Sequence, residues 1–167
     1  QGMFAQGNRE AHGEFCELRA YLLAKLLWNP DCDLQAHMDD FIQGYYGAAA
    51  PQIARYIELT HDSLEASGLG LGIFGGPREH TAGYLSPENI ARYDALFDQA
   101  ERQVTDDPEV FLRVRAARMP LIYAQIETGY RDIAYRRQMA EILFSTADAI
   151  GLHMFNEWNL PTELYKE

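Results

Sequence analysis

Residues 15–47 read FCELRAYLLAKLLWNPDCDLQAHMDDFIQGYYG. Phe15, Leu18, Leu22 and Leu26 recur at intervals of three and four, which sets them on one face of a helix. Leu23, Leu27 and Trp28 widen that stripe until little of the helix surface suits water. A helix apolar over most of its circumference needs cover from several partners. The expectation is a helix over 14–28 that forms the centre around which the others pack. Asn29-Pro30-Asp31 stops it, because the residue before a proline avoids helical backbone angles. Asp33 has the chemistry of an N-cap for a second helix over 34–45, with Met38, Phe41, Ile42 and Tyr45 on its buried side. Gly47 follows as a C-cap or a sharp turn.

The same grammar continues downstream. Pro51 suits the first turn of a third helix, whose stripe is Ile53, Tyr56, Ile57, Thr60 and Leu64 and whose end is Ser67-Gly68. Ser86-Pro87-Glu88 is a helix start, and Ile90, Tyr93, Phe97, Ala100 and Val104 then form the seam of an antiparallel bundle. A fifth helix is predicted over 108–127, kinked or divided at Pro120. A sixth runs over 131–150 with Ile133, Ala140, Leu143, Ala147 and Ile150 inward, and Gly151 caps it. Residues 69–84, LGLGIFGGPREHTAGY, break the pattern and read as a long loop. The aromatic tail over 152–167 is expected to fold back on the body. The predicted class is mainly α: a bundle of about six helices with a short N-terminal strand-like segment and one long glycine-rich loop.

A chain of 167 residues with 47% hydrophobic content can bury a core as one domain. Its 14 basic and 25 acidic residues leave a net charge of -11, which repels nucleic-acid phosphates unless basic groups cluster. The small groups Arg113, Arg115, Arg118 and Arg131, Arg136, Arg137 form no such face and are expected to snorkel or to pair with carboxylates. No nucleic-acid partner is predicted, and no apolar run reaches the roughly 18 residues of a membrane span. Cys16 and Cys32 would sit near opposite ends of a helical rod of roughly 20 Å, so two thiols rather than a disulfide are expected.

Three constellations are of types that can carry chemistry. Glu58 and His61 form an E-x-x-H pair, which supplies half of a di-metal site in bundles of the ferritin kind. No second such pair exists, and His37, His80 and His153 lack the spacing, so neither a metal nor another cofactor is predicted. Gly70, Gly72 and Gly75 match G-x-G-x-x-G, but a helix precedes them and Gly76-Pro77 follows, which is the wrong context for a dinucleotide. Glu14 with Glu17 and Asp39 with Asp40 are neighbouring acids on helices, expected to face solvent rather than flank a sugar. No catalytic residue is assigned.

Phe4-Ala5-Gln6-Gly7, the run LRAYLLAKLLWNP over 18–30, DFIQGYYG over 40–47 and the pattern from Arg113 through Arg118-Met119-Pro120 to Ala124 together resemble one bacterial family, a domain of unknown function. Its members are large secreted polysaccharide-processing proteins, similar to alpha-glucuronidases, with a (β/α)8 barrel followed by a helical C-terminal region. The resemblance covers nearly the whole chain and is strongest over 4–64. It implies that 1–13 is the remnant of a preceding barrel, where QGMFAQGN reads as a strand end running into a loop, and that 14–167 is the helical C-terminal domain. Barrel enzymes keep their sites at the C-terminal ends of the strands. Phe4, Gln6 and Gly7 would then edge the sugar pocket of the intact protein, while the catalytic carboxylates of such enzymes lie on strands outside this chain. The implied partners are the preceding barrel, carbohydrate through it, and a second copy if the module dimerises. The implied location is secreted, periplasmic or on the cell surface. The competing reading is a stand-alone helical-bundle protein for interaction or metal binding.

Overall fold

The structure, a computed structural model, describes residues 13–72 and 75–155. Among them are the α-helices α1 (Cys16–Trp28), α2 (Leu34–Tyr46), α3 (Ala50–Ser67), α4 (Pro87–Gln103), α5 (Pro108–Thr128) and α6 (Ile133–Ile150). Short 3-10 turns occupy Gly47–Ala49 and Pro77–His80, and the described residues hold no strand. The fold is mainly α, as the periodicity predicts.

Four of the six helices, α2, α4, α5 and α6, start with one device. Asp33, Ser86, Asp107 and Asp132 each accept a hydrogen bond from the backbone N–H three residues on, at 3.0, 3.3, 3.1 and 2.9 Å. Each satisfies one of the amides that a helix leaves unpaired at its first turn. The fifth and sixth helices end on Gly129 (φ 72°) and Gly151 (φ 70°), where a side chain would strain the left-handed backbone. Pro120 does not divide α5, which runs unbroken to Thr128. The proline costs one rung of the ladder, and the buried residues Ala117, Arg118, Met119, Leu121 and Ile122 hold the helix on both sides of it.

The core lies where α3, α4 and α5 meet. Ile53, Tyr93, Phe97 and Val114 are at most 1% exposed, and the ring of Tyr56 stands edge-on to Tyr93 (5.5 Å) and 4.7 Å from Phe97. The predicted seam of α4 is buried along its whole length. A second cluster joins Met119 and Ile122 of α5 to Met139, Leu143 and Ala147 of α6 and to Leu152 beyond it. Leu152 and Phe155 therefore fold back as expected; the rest of the tail lies outside the described residues, as does most of the strand-like start.

Two expectations are corrected. The first helix is not the centre: α1 packs on α2 at the edge, and Leu18 is its one buried residue. Its apolar character marks a helix with two faces, of which the described residues cover one. In α6 the inward positions are Met139, Leu143, Thr146 and Ala147. That face continues backward through Tyr135 and Arg136 and passes to one side of Ile133, which is 58% exposed.

Candidate functional site

The outer face of α1 is the most unusual surface of the described chain. Ala20, Leu23, Ala24, Leu27 and Trp28 stand at steps of three and one and are all exposed, Trp28 by 92% and Leu27 by 51%. Leu34, at the start of α2, is exposed as well. On the inner side Leu18 is buried, and Phe15 and Leu22 pack against the core. Single exposed leucines are ordinary, but an aligned apolar stripe is the form of a contact surface.

A row of aromatic rings joins α1 to α2. Tyr21 of α1 meets Phe41 of α2 at 5.1 Å, and Phe41 stacks on Tyr45 at 5.0 Å. A cation sits at each end: Lys25 Nζ is 5.0 Å from the Tyr21 centroid, and the Arg113 guanidinium is 4.4 Å from that of Tyr45. Arg113 also donates to the Tyr45 carbonyl (3.1 Å) and pairs with Glu109, so α2 is fastened to α5.

A charged centre joins α4, α5 and α6. Arg118, buried in α5, donates through Nη2 to Asp94 (2.5 Å) and Asp98 (2.8 Å) and through Nη1 to Glu101 (2.9 Å). The Tyr135 hydroxyl donates to the second oxygen of Asp94 at 2.8 Å. Burial alone would loosen the guanidinium's proton, but Asp94 and Glu101 outweigh it and push the pKa up. Burial, then the bond to Asp94, pushes the Tyr135 phenol up as well. Arg131 covers the outside, its guanidinium 5.1 and 4.5 Å from the Tyr130 and Tyr135 centroids, on a left-handed backbone (φ 58°). The carboxylates of this centre are occupied by Arg118, and the arrangement ties helices together.

The sequence-predicted residues fall out as follows. Phe4, Gln6 and Gly7 lie outside the described residues. Glu58 pairs with Arg55 (2.8 Å) in solvent, and His61 is exposed beside it. Among the described residues no three His, Cys, Asp or Glu side chains gather as metal ligands. Gly70 and Gly72 lie in irregular chain after α3, and no helix opens among them. Asp39 and Asp40 are exposed as expected, accepting from Gln35 (2.8 Å) and Tyr21 (3.5 Å). Glu14 is exposed as expected, and it also accepts the hydroxyl proton of the buried Tyr56 at 2.8 Å. Arg113, Arg115 and Arg118 pair with carboxylates as predicted. Cys16 and Cys32 form no disulfide. No helix among the described residues is long and apolar enough to cross a membrane.

Sequence reasoning missed the charged centre. Its signal was the acids Asp94, Asp98 and Glu101 at steps of four and three, directly beside the apolar seam of the same helix.

Residues 1–58 match the model of a family described as a domain of unknown function, DUF4838. The match covers α1, α2 and the first half of α3, a shorter span than the resemblance suggested. No curated protein and no solved structure matches the chain.

Proposed function

We propose that this chain is the helical C-terminal module of a carbohydrate-active, glycoside-hydrolase-like protein related to alpha-glucuronidases, and that it buttresses a (β/α)8 barrel through the outer face of α1. The single observation that carries this reading is the exposed stripe Ala20, Leu23, Ala24, Leu27 and Trp28. A helix does not keep such a stripe in water for its own stability, and the inner face of α1 already holds it to α2. The stripe falls inside residues 1–58, the part that matches the family model. The charged centre ties α4, α5 and α6 together, and the role assigned to the module is support. Phe4, Gln6 and Gly7 remain the residues assigned to the edge of the barrel's sugar pocket, and an extracytoplasmic location goes with that assignment.

Hydrogen–deuterium exchange of α1 tests the reading, measured in this chain alone and in the full-length polypeptide that carries it. Slower exchange of α1 in the longer protein is expected. Equal rates, or a gene that encodes no barrel beside this chain, would refute it. Sedimentation of the isolated chain addresses the second occupant of the stripe. A dimer broken by Leu23→Asp would give the face to another copy of this chain and remove it from the barrel.

A further inference from the structure

A well-formed cavity opens beside the residues that lead into α1. It has a volume of about 330 Å³ and is bounded by α3, α5, α6 and the chain beyond α6. That places it at the lower end of the roughly 300–1,000 Å³ typical of small-molecule pockets. Its walls are mostly apolar, with Met119, Pro120, Leu143, Leu152 and Met154 among them. Several of its polar groups offer acceptors. Glu14 stands at the rim, takes the Tyr56 hydroxyl proton at 2.8 Å, and has no cationic partner among the described residues. Thr60 spends its proton on the carbonyls of Tyr56 (3.0 Å) and Ile57 (2.9 Å), which leaves oxygen lone pairs. Ala116 lines the cavity too, and its carbonyl is the one that Pro120, lacking an N–H, cannot serve. The phenols Tyr84 and Tyr123 can turn either way, and no Lys, Arg or His is among the described lining residues. The field agrees: burial first, then Glu14, raises the phenols of both Tyr56 and Tyr84.

We infer that this cavity binds a small primary ammonium with an apolar body, its cationic head against the Glu14 carboxylate and its body between Met119, Leu143 and Met154. An anionic ligand would meet Glu14 unopposed, and a neutral apolar one would leave the acceptors unpaired. The inference is independent of the docking of α1.

The test compares 2-phenylethylammonium with its neutral counterpart 2-phenylethanol by calorimetry at neutral pH. Methyl-labelled methionines report the location. The ammonium is expected to bind at least about tenfold more tightly, a difference of about 1.4 kcal/mol, and to shift the Met119 and Met154 methyls while leaving Met38 in place. Glu14→Gln alters an exposed residue, so the fold is kept, and it should bring the two probes within about twofold of each other. Equal affinities in the unaltered chain, a preference that survives Glu14→Gln, shifts confined to Met38, or no saturable binding of either probe would each overturn the assignment.

Discussion

Replacing Arg118 with methionine removes one guanidinium and should destabilise the whole bundle. The three carboxylates it serves differ in what they lose. The Asp98 side chain is 50% exposed and returns to water at little cost. The Glu101 side chain is 16% exposed and keeps Arg115 at 3.6 Å. Asp94 is the costly one: its side chain is 9% exposed, and after the substitution the Tyr135 hydroxyl is its remaining partner. A buried charge stripped of its counter-ion costs about 3–5 kcal/mol. The methionine recovers part of the packing but offers no hydrogen bond. Urea unfolding followed by far-ultraviolet circular dichroism should show that loss with an unchanged slope against denaturant. For a chain of this size it corresponds to a melting temperature lower by about 6–20 °C. The companion change Asp94→Leu in the same chain should restore at least half of the loss, since it removes the stranded charge. A single-variant loss below about 1 kcal/mol, the range of exposed ion pairs, would refute the reasoning and show that water reaches Asp94.

Other consequences can be measured directly. Burial and then the bond from its Sγ to Glu17 (3.2 Å) push the Cys16 thiol up to about 11, so its alkylation should be slow at mildly alkaline pH and accelerate toward pH 11. Tyr46, Tyr56 and Tyr135 all hold their protons more tightly than a free phenol, chiefly through burial. The unfolded chain releases those protons near pH 10 while the folded one retains them, so stability should be level below that pH and fall above it in thermal melts. Gly129→Ala forces a side chain onto a left-handed backbone (φ 72°) and should cost about 1–2 kcal/mol in the same denaturation assay.

Two helix starts were legible because a cap is a local event: Asp33 and Ser86 need only the amide three residues on, whereas the sixth helix was expected from 131 and begins after its cap Asp132. The seam of α4 was legible for the same reason, since its period is written within one helix. The place of α1 was not. Counting apolar residues shows how much surface must be covered but not which neighbour covers it, and a helix lying between two bodies reads like one at a centre. Arg118 was hidden among its neighbours Arg113 and Arg115, because its burial depends on acids that lie 17 to 24 positions away. The cavity was out of reach for a related reason. The Tyr56–Glu14 contact spans 42 positions, and an opening is defined by side chains that fail to meet.

The stack from Lys25 through Tyr21, Phe41 and Tyr45 to Arg113 gives the edge helix a stiff line inward. Flat rings in contact resist compression, so a body leaning on α1 cannot be absorbed at the surface. The push arrives at Arg113, less than two turns before the point where α5 lacks a rung at Pro120 and where the cavity wall begins. A helix yields most easily where a rung is absent. Occupation of the outer stripe and filling of the cavity are therefore expected to sense one another, and by equal amounts in either direction.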